Sequence, residues 1–95
     1  MAGYVVAQII AVKDPPGFDE YRSKVEPTIE QYGGKYLVRA GEIRGAEGDW
    51  NPTLVVIEFE STARALEWYE SEEYRPLLEL RLRSAETQAV IVEGV

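Results

Sequence analysis

Tyr4-Val5-Val6-Ala7-Gln8-Ile9-Ile10-Ala11-Val12 is the stretch that decides the fold. Val and Ile dominate it, and Lys13-Asp14-Pro15-Pro16-Gly17 closes it, the pattern of a strand ending in a turn. Successive side chains on a strand point to opposite faces, so a sheet covered on one side only should alternate apolar and polar residues. Here Val5, Ala7, Ile9 and Ala11 form one face, and Tyr4, Val6, Gln8 and Ile10 the other. Both are mostly apolar. Thr53 to Glu60 repeats the pattern, with Val55, Ile57 and Phe59 set against Leu54, Val56 and Glu58. One layer of helices covers one face, and the Ala-rich set admits their close approach. The other face calls for a second copy of the chain, so the expected partner is the protein itself, a homodimer joined through the sheet face.

Outward from that strand, Phe18, Tyr21, Val25, Ile29 and Tyr32 recur at spacings of three and four, which predicts a helix over 18–32. Pro27 cannot donate a helical hydrogen bond, which predicts a kink or two short helices there. Gly33-Gly34 supplies the positive φ of a helix C-terminus. Lys35 to Ile43 reads as a second strand, joined to the third by a hairpin connection over Arg44 to Pro52. Ser61 caps the next helix, whose inner face holds Ala65, Leu66 and Tyr69. Ser71 caps a further turn beginning Glu72-Glu73, and Tyr74, Leu77, Leu78, Arg81 and Leu82 continue the helical period. Thr87 to Glu93 is short and β-branched and forms the last strand. The order β-α-β-β-α-β predicts an α+β, ferredoxin-like fold. It is one domain over 1–95 with a four-stranded antiparallel sheet, paired into a dimeric α/β barrel.

Composition narrows the chemistry. The 95 residues are 45% apolar and 28% charged, ordinary for a folded chain with one modest core. Ten Lys and Arg stand against 17 Asp and Glu, a net charge of −7, which repels phosphate backbones and anionic bilayers. No nucleic-acid and no membrane partner is therefore expected. The absence of His and Cys removes imidazole catalysis, thiol chemistry and the usual zinc ligands. Met1-Ala2-Gly3-Tyr4 leads into a strand with no basic stretch before an apolar segment, so the expected location is the cytoplasm. Gly45 and Gly48 lack the Lys-Ser or Lys-Thr of a phosphate loop. Asp49 and Asn51 have only the first spacing of a calcium loop, and Glu70, Glu72 and Glu73 suit a helix start better than a metal. No cofactor and no metal are expected.

The outward sheet face carries a polar minority, Gln8, Arg39 and Glu58. A tight turn at Gly48-Asp49 would set Arg39 opposite Glu58. Such a pair either satisfies itself and fixes geometry, as buried pairs often do, or lines a pocket. In the pocket Arg39 would bind an anion and Glu58 would accept a hydrogen bond or act as a base. Trp50 follows a Gly-Asp pair in the connection, as a loop anchor on the sheet edge or a lid. Tyr21, Tyr32, Tyr36, Trp68, Tyr69 and Tyr74 could line an aromatic pocket, although helical spacing favours ordinary core for most of them. Gln8, Arg39, Glu58, Trp50 and Trp68 are thus the ligand-binding candidates, with Arg39 and Glu58 as candidate catalytic groups. The candidate partner is a small apolar or acidic molecule.

A family resemblance rests on several stretches together: Gly3-Tyr4, Asp14-Pro15, Tyr32-Gly33-Gly34-Lys35-Tyr36-Leu37-Val38-Arg39, Glu47-Gly48-Asp49-Trp50, Ile57-Glu58-Phe59, Trp68-Tyr69 and Ser71-Glu72-Glu73-Tyr74. Along nearly its whole length the chain resembles the domain-of-unknown-function 1330 family, in the dimeric α/β-barrel group. The resemblance implies ferredoxin-like protomers paired as a dimer, and brings no established reaction. The wider group includes cofactor-free monooxygenases, lactone isomerases and haem-degrading enzymes, which implies a cofactor-independent isomerase or oxygenase as the alternative to a binding protein. Many of those proteins place the site between sheet and helices of one protomer, whereas strand alternation puts the polar trio here on the dimer face. The family usually has Arg-Gly-Gly where this chain has Arg39-Ala40-Gly41, an extra methyl beside that strand.

Overall fold

A computed structural model describes residues 1–50 and 53–95. The apolar run Gly3–Val12 forms β1, and Asp14 then caps helix α1, Pro15–Gln31, by accepting from the Gly17 N–H. Pro15 and Pro16 occupy the first turn, where no amide donor is needed. The anticipated break at Pro27 is corrected: α1 runs through it as one helix. Pro27 faces solvent, while Val25 and Ile29 on either side are 3% and 1% exposed, so packing holds the helix across one missing hydrogen bond. Gly33, at φ 78°, ends it, and the Gly34 N–H reaches back to the Ile29 carbonyl at 2.9 Å.

The second strand is shorter than its sequence predicts. β2 covers Lys35–Arg39 rather than continuing to Ile43, because Ala40 turns to φ 56° and leaves the extended region. β3 follows at Thr53–Phe59. Asn51 and Pro52, within the expected connection, lie outside the described residues. Helix α2, Thr62–Tyr69, is capped by the Ser61 hydroxyl accepting from the Arg64 N–H. The Ser71 hydroxyl accepts from the Tyr74 N–H and starts the turn into α3, Arg75–Ser84, from which β4, Ala85–Glu93, leaves directly.

The four strands are antiparallel in the order β2-β3-β1-β4, with three helices in the connections, a ferredoxin-like arrangement. The inward set Val5, Ile57 and Phe59 packs against Val25 and Ile29 of α1, Ala65 and Trp68 of α2, and Tyr74 and Leu77 at α3. The outward set stays open: Val90 and Val92 are 57% and 46% exposed beside Val6 and Tyr4 of β1. Among the described residues, no helix is long and apolar enough to cross a membrane.

Candidate functional site

The register between β2 and β3 decides where the polar residues go. Lys35 pairs with Glu58 and Tyr36 with Ile57, but Val38 pairs with Val56 and Arg39 with Val55. Leu37 is therefore an extra residue, a bulge, and it reverses the facing of everything after it. A regular strand would send Arg39 to the outward face. The bulge turns it inward instead, on the same side as Tyr36, with its guanidinium 4.5 Å from the Tyr36 ring centroid. The expected Arg39–Glu58 juxtaposition is corrected accordingly. Arg39 pairs with Glu26 of α1 at 3.2 Å, both half-exposed, and Glu58 receives Lys35 at 3.5 Å and the Tyr4 hydroxyl at 3.3 Å.

The inward side of the sheet does not close completely on the helices. A cavity of about 210 Å³ lies between them, floored by Val5, Ala7 and Ile9 of β1 and walled by aromatic rings. Trp68, 2% exposed, donates its indole N–H to the Thr28 hydroxyl at 3.0 Å and lies 4.1 Å from Tyr74, ring to ring. Tyr21 and Tyr74 share a hydroxyl hydrogen bond of 2.8 Å. Burial, reinforced by the Tyr74 hydroxyl, keeps the Tyr21 phenol neutral far above its ordinary range. Burial also raises Tyr74, with Arg81 opposing the shift, and it raises Tyr36, with Arg39 opposing.

Charge in the lining runs against the charge of the chain. Three arginines, Arg22, Arg39 and Arg81, line the cavity, and none of the 17 carboxylates does so among the described residues. Arg39 and Arg22 stand at its exposed rim. Arg81 is different: it is 8% exposed, and its Nε is buried without a hydrogen-bond partner. The Thr87 Oγ1 on β4, also in the lining, is likewise buried and unpartnered. A charge removed from water without a partner costs several kcal/mol unless something replaces the solvent. The C-terminal end of α3 offsets only about 0.3–1 kcal/mol of that through the helix dipole. A guanidinium in apolar surroundings favours an anionic partner.

The sequence candidates separate. Arg39 and Trp68 line the cavity. Gln8 lies on the outward face, where its Oε1 accepts from Gln88 at 2.9 Å, and Glu58 lies on that same face. Trp50 is 55% exposed and donates to the Glu47 carbonyl at 2.9 Å within its own loop, outside the cavity. Tyr21, Tyr36, Tyr69 and Tyr74 belong to core and cavity wall at once. Tyr32 packs against the core but lies outside the cavity lining: its hydroxyl donates to Glu73, and Arg64 covers its ring. Arg81 and Thr87 escape a reading by residue type. The available signal is positional: Arg81 sits three and four residues after Leu78 and Leu77, on the stripe that faces inward.

The chain belongs to the family described as Domain of unknown function (DUF1330), whose model matches residues 2–95. No curated protein matches the sequence. Among solved structures, a protein of unknown function from Rhodopseudomonas palustris is 15% identical, with a TM-score of 0.73 over 99% of this chain and 82% of that one. A cofactor-independent oxygenase from Streptomyces nogalater is 8% identical, with a TM-score of 0.65 over 99% of this chain and 93% of that one. A dimeric protein of unknown function with a ferredoxin-like fold, from Bacteroides fragilis, is 11% identical, with a TM-score of 0.63 over 98% and 96%. At these identities the likeness is one of fold.

Proposed function

We propose that this protein works as a homodimer in the cytoplasm, each protomer holding a small, largely apolar, anionic molecule between its sheet and its helices. Arg81 carries the proposal: a buried guanidinium with an unpartnered Nε, in an apolar cavity that no carboxylate lines. Arg39 and Arg22 at the rim give an approaching anion a locally favourable field on a chain whose net charge is −7. Trp68 and the tyrosines form the apolar wall. Gln8, Glu58 and Trp50 take no part in this cavity.

The dimer is supported by the outward sheet face. Val6, Val56, Val90 and Val92 lie close together there, open to solvent to differing degrees, and burial against an identical face removes that surface from water. The structurally similar Bacteroides fragilis protein is dimeric. Glu58, with Lys35 and Tyr4, then serves the interface as a compensated charge at its margin.

Turnover without a cofactor is the second possibility, favoured by the same guanidinium, since a desolvated Arg stabilises an oxyanion as it develops. The similar fold of the Streptomyces nogalater oxygenase is compatible with it. Proton abstraction, however, needs a base. The lining holds no carboxylate, burial keeps the Tyr21, Tyr36 and Tyr74 phenols neutral, and the Glu58 carboxylate is on the other side of the sheet. Binding is therefore the better-supported function.

Native mass spectrometry of freshly purified protein tests both halves. The expected result is twice the 10.7 kDa chain mass with a small adduct on the wild type that is lost in Arg81→Leu. A monomer at micromolar concentration would remove the dimer, and an adduct equally retained by Arg81→Leu would remove the anion site.

A further inference from the structure

The shape and the unpaired atoms of the cavity specify its occupant more closely. We infer that it takes a monocarboxylate with a compact body about the size of one aromatic ring, its carboxylate seated on Arg81 and Thr87. This rests on the binding function proposed above and narrows it to a ligand class.

The two buried side-chain atoms without a partner among the described residues are Arg81 Nε and Thr87 Oγ1, and both belong to this lining. One is a charged donor, and the other is a hydroxyl that can donate. Arg81 Nε lacks an acceptor, and the Thr87 hydroxyl, which can donate to the same group, lacks any partner. A carboxylate supplies two oxygens in one plane, which a guanidinium meets through Nε and a terminal nitrogen side by side. A dianion such as a phosphate monoester fits worse. Arg39 is already engaged by Glu26 and Arg22 stands exposed at the rim, so inside the cavity Arg81 alone neutralises charge, and the second would remain in apolar surroundings. A zwitterionic amino acid fits worse still, because no carboxylate in the lining receives its ammonium group.

The body of the ligand follows from volume and wall. An apolar cavity of about 150 Å³ accepts benzene, and this one measures about 210 Å³. That is room for one ring and a carboxylate. The wall suits such a ring: Phe18 and Tyr21 stack at 5.6 Å, and Trp68 and Tyr74 present further ring surface.

The protein carries its own reporter. Trp68 lines the cavity and Trp50 lies outside it, so Trp50→Phe leaves a single indole whose emission responds to occupancy. Four probes share one ring and differ in the head group: phenylacetate, benzyl alcohol, phenyl phosphate and phenylalanine. Phenylacetate is expected to bind about tenfold or more tightly than each of the other three, an advantage lost in Arg81→Leu and partly kept in Arg81→Lys. Thr87→Val, which keeps the shape and deletes the hydroxyl, is expected to weaken phenylacetate about fivefold and leave benzyl alcohol unchanged. Benzyl alcohol binding as tightly as phenylacetate would overturn the head-group assignment while leaving a ligand cavity in place. Phenyl phosphate binding most tightly would overturn the monocarboxylate and retain the anion. No response to any probe, with Trp68 still buried, would overturn the ligand cavity itself. Because the probes are compared on the same folded protein, the result does not depend on any Arg81 variant being stable.

Discussion

Arg81 sets ligand recognition and stability against each other. An empty cavity leaves its Nε without an acceptor, and burying an unsatisfied polar group costs about 1–3 kcal/mol, more when it is charged. Arg81→Met keeps the length and apolar stem of the side chain and removes that penalty. The ligand-free variant is therefore expected to be about 1–2 kcal/mol more stable than wild type, or roughly 4–12 °C higher in melting temperature for a chain of this size, at matched protein concentration. Thermal unfolding followed by circular dichroism checks it, and a melting temperature lowered by several degrees would mean the guanidinium holds the fold rather than a ligand. The same residue marks where sequence reading stops. An Arg on the inward stripe of a helix most often bends its charged head to solvent. Here the side chain is only 8% exposed and its Nε is buried, a fact set by packing and invisible in the spacing of Leu77, Leu78 and Arg81.

At the scale of elements, the end of β2 is both the strained part of the fold and the part that aims a side chain at the cavity. Ala40 holds φ 56°, a conformation that costs a residue with a Cβ roughly 1–2 kcal/mol. Glycine would relieve that and give back about 0.5–1 kcal/mol through the greater freedom of the unfolded chain. Ala40→Gly is thus expected to stabilise the protein by about 0.5–1 kcal/mol, read as a higher urea midpoint with an unchanged slope. A lower midpoint would show that the methyl packs usefully at the rim. Strand identity, the inward face of α1, both capping serines and the Gly33 terminus were all legible, because each depends on local periodicity or on one residue's backbone preference; the faces of the two short helices were not, since Leu66 and Leu82, read as inward, are 44% and 57% exposed and Trp68 is buried in place of Leu66. The bulge at Leu37 was not. It carries no glycine, and Tyr36-Leu37-Val38 reads as regular strand. Since one extra residue reverses every later side chain, that single feature moves Arg39 from the outward face to the cavity, while the register of the longer connection sets Lys35 rather than Arg39 opposite Glu58. The turn could not correct the error, because the last β2–β3 pair is Arg39 with Val55 and the connection between them is too long to dictate a register.

At the scale of the whole molecule, the aromatic wall ties the fold to proton activity. Tyr21 and Tyr74 are raised from the ordinary 10.0 chiefly by burial, so the folded state keeps protons that the unfolded state gives up. Below about pH 10 both states hold them, and this contribution to stability is fully present. Above it, the unfolded chain ionises while the folded chain does not. Stability then falls by as much as about 1.4 kcal/mol per pH unit for each phenol until its folded value is reached. The two groups act in the same direction, so the folded state loses stability as pH rises above about 10. Absorbance titration of the tyrosinate band is therefore expected to be biphasic, with the Tyr21–Tyr74 pair ionising only as near-ultraviolet circular dichroism is lost. A single step near pH 10 with tertiary structure intact would contradict the burial of the pair. The titration also reports on the cavity, because the pair lines it: a ligand that binds only the folded state displaces the second step to higher pH by mass action and leaves the first unmoved. A carboxylate probe that shifts the second step in wild type but not in Arg81→Met joins the alkaline limit of the fold to the anion site within it.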